Sequence, residues 1–170
     1  LTAALSLSQR FRFPSGNFIQ ELERLNNSTA SKRTTNEVVA TRKSVALVED
    51  DKVIGEAFCD SVRQSTSCTL QAWYDGVESA IEGIDSNPPD IVFVDLKLPD
   101  GHGTEIIAAY QDQDASMRPE FVVYTMYADD DNLFEALQAG ANGYLIKGES
   151  SPKSIDETVA MLEQQFPPLS

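Results

Sequence analysis

Carboxylates, a hydroxyl and an ammonium stand where the apolar runs of this chain stop. Val45-Ala46-Leu47-Val48 runs into Glu49-Asp50-Asp51, and Ile91-Val92-Phe93-Val94 into Asp95. Phe121-Val122-Val123-Tyr124 runs into Thr125, and Gly143-Tyr144-Leu145-Ile146 into Lys147. Carboxylates held close together repel, so they take up a proton or hold a cation. Oxygen-only donors in an open, watery site suit Mg²⁺. Phosphoryl transfer needs mainly positioning and charge neutralisation, which a cation and a Lys supply, and an Asp carboxylate is a competent covalent acceptor. Thr125 can donate a hydrogen bond to a phosphoryl oxygen. The set therefore suffices to form an aspartyl phosphate. It lacks an evident base for fast hydrolysis, and no G-x-x-x-x-G-K-[ST] loop marks ATP as the donor.

Other chemistries fall away on composition. His102 is the only histidine, which removes every site needing two His ligands, and in Gly101-His102-Gly103 it reads as turn. Cys59 and Cys68 do not form a C-x-x-C pair and fit free thiols in a reducing cytoplasm. With 27 acids against 13 bases the net charge is −14, the opposite of a chain that binds nucleic acid by neutralising phosphates. No apolar run approaches the roughly 20 residues that cross a bilayer. LTAALSLSQRFRFPSG lacks the layout of a secretion signal, and the start at Leu1 reads as that of a fragment.

The elements that must position the site alternate along the chain. Val53, Ile54, Ala57, Phe58 and Val62 share a helical face. Leu70-Gln71-Ala72-Trp73 is strand-like. Val77, Ala80, Ile81 and Ile84 form a second helical stripe, stopped by Asn87-Pro88-Pro89. Ile106, Ile107 and Tyr110 mark a third helix, and Leu133, Ala136 and Leu137 a fourth that Gly140 ends. Ile155, Val159, Leu162 and Phe166 mark the last. Five strands thus alternate with five helices. Continuous apolar strands imply a parallel sheet covered on both faces, which binds ligands beyond the carboxyl ends of its strands. The second strand, ending at Tyr74-Asp75, contributes nothing evident to that edge.

Charge divides the chain. Residues 1–42 carry a net +3 and residues 43–170 a net −17. Asn26–Ser31 has linker composition. Residues 1–43 read as an extension, either a mobile arm or one with a short amphipathic helix over 17–26 (Phe18, Ile19, Leu22, Leu25). Residues 44–166 read as the compact domain, and 167–170 as the start of a C-terminal linker.

Four stretches, VALVEDD from Val45, DIVFVDLKLPDGHG from Asp90, FVVYTM from Phe121 and GANGYLIK from Gly140, closely resemble the receiver domain of bacterial two-component response regulators. They occur in that family's order and at its separations, and the resemblance covers the whole acidic domain. It implies a flavodoxin-like five-stranded parallel sheet of order 2-1-3-4-5 with five helices. It implies that Asp95 accepts a phosphoryl group from the phosphohistidine of a histidine kinase or phosphotransfer protein. Asp50 would bind Mg²⁺, Glu49 would help, and Lys97 would offer its backbone carbonyl. Thr125 would be the switch hydroxyl, Tyr144 the aromatic that follows it, and Lys147 the partner of Asp95 and then of the phosphoryl oxygens. Output would leave through the fourth helix, fifth strand and fifth helix, with homodimerisation through the last helix as a further expectation.

There are departures. Glu49 stands where the family often has Asp. Gly148 stands where Pro often follows the Lys, which looks more like the subfamily with a LuxR-type helix-turn-helix output domain, absent here. Met126 and bulky Tyr127 follow the switch Thr and could slow phosphoryl loss. Blander roles stand beside these. Asp51 is a helix cap, Asp129-Asp130-Asp131 a solvated helix start, Trp73 core or edge packing, and Tyr144 either core or switch. Competing functions are a phosphorylation-independent interaction module and a haloacid-dehalogenase-like phosphatase. The latter needs a second Asp two residues after its nucleophile, where Lys97 stands.

Overall fold

The computed structural model describes residues 41–126 and 130–165. The helix expected over 17–26, Tyr127, Phe166 and the tail that follows lie outside them.

Strands β1 (Lys43–Val48), β2 (Cys68–Tyr74), β3 (Ile91–Val94), β6 (Glu120–Thr125) and β7 (Gly143–Ile146) form one parallel sheet of order β2-β1-β3-β6-β7. Leaving out a small hairpin, this is the expected order 2-1-3-4-5. The helices are α1 (Lys52–Gln64), α2 (Val77–Ser86), α3 (Gly103–Ala109), α4 (Asp130–Ala139) and α5 (Pro152–Gln165). The strand period of two sends successive side chains to opposite faces, and both faces are covered. Val45, Leu47, Ile91, Phe93, Val122 and Tyr124 pack with Phe58 and Val62 of α1 and Ile155, Val159 and Leu162 of α5. Ala46, Val48, Val92, Val94 and Val123 pack with Ala80 and Ile84 of α2, Ile106 and Ile107 of α3 and Ala136 of α4. That double burial is why these strands read as unbroken apolar runs.

Local chemistry sets the helix ends. Asp51 is the N-cap of α1, accepting from Val53 N and Ile54 N at 2.9 and 3.0 Å. Gly140, at φ +109°, closes α4, with the Ala141 N–H donating to Ala136 O at 3.0 Å. This left-handed ending suits glycine because a Cβ would crowd the backbone.

Three details differ from the sequence reading. The second strand extends from Cys68 to Tyr74, beyond the four residues with strand-like character, because its ends pair with β1. Lys97–Leu98 (β4) and Gly101–His102 (β5) form an antiparallel hairpin that no periodicity of two residues could reveal. His102, read as turn, lies on β5 and also caps α3, with its ring bonded to the Thr104 hydroxyl and the Glu105 carboxylate returning to its own N–H.

The start of α5 is tied to the α1–β2 turn by one carboxylate. Asp156 accepts from Ser65 Oγ at 2.5 Å, from Thr66 Oγ1 at 2.9 Å and from Ser67 Oγ. Burial opposes its ionisation, but these hydroxyls and the Thr66 N–H outweigh it and hold the carboxyl down to about 2. A depressed folded value contributes stability above the unfolded carboxyl range that is lost as pH falls towards 2. Asp156→Ala is therefore expected to lower unfolding stability by about 1–2 kcal/mol at pH 7. In urea titrations the gap from wild type should narrow between pH 4 and pH 2; a constant gap would contradict the assignment.

Candidate functional site

The parallel register delivers the site. Val48 is level with Val94, and Val94 with Val123, while Thr125 is level with Ile146, so the residues following these strands leave the sheet along one edge. Two backbone bonds extend that alignment past the strands, Asp95 N to Val48 O at 2.9 Å and Lys147 N to Thr125 O at 2.6 Å.

Lys147 lies at the centre. Its Nζ is 2.6 Å from Glu49 Oε2 and 2.8 Å from Asp95 Oδ2, and its side chain is buried. It also sits 5.6 Å from the centroid of the Tyr124 ring. Glu49 is only 1% exposed. Its Oε1 accepts from Asp51 N at 3.0 Å, and its Oε2 faces the Lys147 ammonium. Burial pushes the Glu49 carboxyl up against the pull of Lys147 and the Asp51 N–H, with Asp95 adding repulsion. Burial disfavours the Lys147 cation, but the two carboxylates prevail and raise it.

Asp50 is exposed beside this pair. One oxygen each from Glu49, Asp50 and Asp95 lies within 4.8 Å of the others. Three carboxylates against one ammonium leave an excess of negative charge, and the donors are all hard oxygens. That donor set fits Mg²⁺ and other oxygen-seeking divalent cations. Lys97 donates its N–H to Asp95 Oδ1 at 3.3 Å, so the start of the β4–β5 hairpin is folded back on the carboxylate.

Asp95, Leu96, Lys97, Thr125, Met126, Asn132 and Lys147 line a cavity of about 190 Å³ over Asp95. Tyr144 is not among them. It is level with Val123 on β7, half-buried at the margin of the core on the α2–α3 face. Gly148, at φ +86°, turns the chain away from Lys147, a conformation closed to proline.

Sequence reasoning missed three contributors. Asn132 borders the cavity from α4, and no pattern distinguishes it from a surface residue. Asp100 caps α2 from a distance, Oδ1 accepting from Val77 N at 2.8 Å and Oδ2 from Glu78 N at 3.0 Å, where the local cap, Gly76, has no side chain. Trp73 packs at the edge of the sheet over Gly55, as one of its expected roles had it, but its indole also donates to Glu49 O at 2.8 Å. The Asp-Gly after Pro99 was the available signal for a turn, but not for what its carboxylate reaches.

Similar proteins bear on identity. The response regulator receiver domain family matches residues 45–160. The chain belongs to that family. It is 34% identical over 104 residues to the oxygen regulatory protein NreC of Staphylococcus aureus, covering 61% of this chain and 47% of that one. It is 27% identical over 103 residues to the DNA-binding transcriptional activator DevR/DosR of Mycobacterium tuberculosis, covering 61% and 46%. The receiver chain thus spans about half the length of the curated relatives it matches. Among solved structures it resembles a LuxR-family DNA-binding response regulator from Staphylococcus aureus, with TM-score 0.63 and 18% identity over 71% of this chain and 98% of that one. That likeness supports the fold. No helix among the described residues of the receiver is long and apolar enough to cross a membrane.

Removing Lys147 would leave Glu49 and Asp95 facing each other unneutralised. Breaking a buried pair by deleting one partner costs about 3 kcal/mol. Lys147→Met is expected to lose that much in urea unfolding, and Lys147→Met combined with Glu49→Gln to recover at least a third of it. No recovery in the double variant would mean that repulsion is not the cause.

Proposed function

We propose that this receiver domain accepts a phosphoryl group on Asp95 from the phosphohistidine of a histidine kinase or phosphotransfer protein. What carries the reading is the Lys147 ammonium set 2.8 Å from Asp95 Oδ2 and 2.6 Å from Glu49 Oε2, with Asp50 alongside. Asp50, Asp95 and the Lys97 carbonyl would hold Mg²⁺, with Glu49 assisting. When bound, the ion neutralises charge on the carboxylates and on the incoming phosphoryl group.

The residues of the chain do the rest. An Asp95 carboxylate oxygen attacks phosphorus, the P–O bond forms as the P–N bond breaks, and the imidazole leaves with its electron pair and takes a proton. Lys147 already holds Asp95 and moves its charge onto the phosphoryl oxygens. Thr125, lining the same cavity, donates its hydroxyl to one of them. Because Lys147 and Thr125 are joined through backbone at 2.6 Å, a shift of the Thr125 end of β6 reaches β7 and the helices beside it. Tyr144 on β7 is the aromatic that would follow. Phosphorylation thereby adds charge at a two-state site and alters the face of α4, β7 and α5.

The signal would pass to a transcription-regulating domain outside this chain, as the similarity to DevR/DosR and NreC suggests. Homodimerisation through α5 and a cytoplasmic setting belong to the same proposal. Lys97 two residues after Asp95 speaks against a haloacid-dehalogenase-like phosphatase, since no second acid stands there. The chain is on this reading a phosphoacceptor that catalyses its own modification, not a turnover enzyme.

Incubation with acetyl phosphate and Mg²⁺ is expected to add about 80 Da to the intact mass. The adduct should be absent from Asp95→Asn and when Mg²⁺ is chelated. An adduct that persists in Asp95→Asn would overturn the assignment of the acceptor. No adduct in wild type would favour a phosphorylation-independent interaction module.

A further inference from the structure

Glu49 is the residue at which β1 gives way to the acidic loop, and almost every polar group it owns is held. Its N–H donates to Tyr74 O at 2.9 Å. Its Oε1 accepts from Asp51 N, and its Oε2 faces Lys147. Its carbonyl oxygen lies beyond the sheet ladder, and there the indole N–H of Trp73 reaches it at 2.8 Å. The peptide plane between Glu49 and Asp50 is rigid, so fixing that oxygen fixes the direction in which the backbone enters Asp50.

The indole is itself held in place. It lies over Gly55, where a Cβ would overlap its six-membered ring, so α1 accepts Trp73 only because residue 55 has no side chain. With Glu49, Asp50, Lys52, Glu56 and Tyr74 it lines a groove of about 410 Å³ that opens beside the acidic basin. It remains 36% exposed, so packing alone does not account for a tryptophan here. A purely apolar contact would not aim its one polar atom at the backbone of a loop carrying two of the three clustered carboxylates.

We propose that Trp73 is a positioning residue for divalent-cation binding. By holding the Glu49 carbonyl it orients the Asp50 carboxylate, and Gly55 is the complementary vacancy that lets it do so. This rests on the reading of Glu49, Asp50 and Asp95 as the cation site. Outer partners of this kind govern metal affinity by orienting the ligands rather than by touching the ion.

The test is a Mg²⁺ titration of the whole chain, followed by the amide NMR shifts of residues 49–51 and 95–97. Trp73→Phe keeps an aromatic ring and removes the donor. It is expected to weaken Mg²⁺ binding about fivefold, the loss of one hydrogen bond. Gly55→Ala should weaken it similarly by displacing the indole, although alanine favours the helix. Asp156→Ala, which loosens the fold far from the basin, should lower the melting temperature and leave the Mg²⁺ affinity within twofold of wild type. Trp73 is the only tryptophan, so Mg²⁺ should also shift the emission of wild type and not of Asp50→Asn.

Wild-type binding with an unchanged affinity in Trp73→Phe would overturn this inference and leave the cation site standing. An equal loss in Asp156→Ala would overturn it as well, since the effect would then be one of stability. No Mg²⁺ binding by wild type would overturn both readings.

Discussion

An ammonium ion buried between two carboxylates ties together the strands that carry all three groups, and here those are β1, β3 and β7, whose ends open on one edge of the sheet. Glu49 follows β1, Asp95 follows β3 and Lys147 follows β7, so the two ion pairs of 2.6 and 2.8 Å tie together three strand ends. Like charges gathered at an edge would otherwise push those ends apart. The surrounding structure can be understood as what keeps that edge aligned. The parallel register does so along the sheet, and the helices bury both faces so that the strands have no freedom to slide.

Around this centre the chain uses hydrogen bonds from outside the strands to set loops that the sheet cannot reach. Asp51 caps its own helix, Asp100 caps α2 from the hairpin after β3, and Asp156 gathers the hydroxyls of the α1–β2 turn. Asp100 and Asp156 each join two segments, and in all three cases a carboxylate meets N–H or O–H groups, which are stronger contacts than neutral ones. Part of the acidity of the receiver is therefore structural. The acids of the basin differ in being crowded together, with burial raising Glu49 while the carboxylates raise Lys147. This contrast separates a site from a negatively charged surface.

Much of the fold could be read in the residues because apolar runs ending in charge carry two messages at once. Val45–Val48, Ile91–Val94 and Phe121–Tyr124 announced doubly covered strands, and Glu49, Asp50, Asp95, Thr125 and Lys147 announced the edge where they end. The β4–β5 hairpin was invisible because two-residue strands have no period. The bond from Trp73 to Glu49 O is not legible because β2 ends in nothing chemically conspicuous, and the indole acts sideways on the neighbouring strand's exit. Asn132 was missed because a polar residue on an exposed helix looks the same whether or not a cavity lies beside it.

The order and kinds of residue settled by themselves that this chain makes a parallel α/β sheet with acids, a hydroxyl and an ammonium at one edge, because strand burial and strand ends are local properties of the chain. Tertiary structure alone decided that the ammonium pairs with Glu49 as well as Asp95, that Glu49 rather than Asp50 is buried, and that Trp73 and Asp100 reach across to neighbouring elements. Those outcomes depend on distances between groups far apart in the chain, and distances are fixed only when the packed faces of the sheet bring them together.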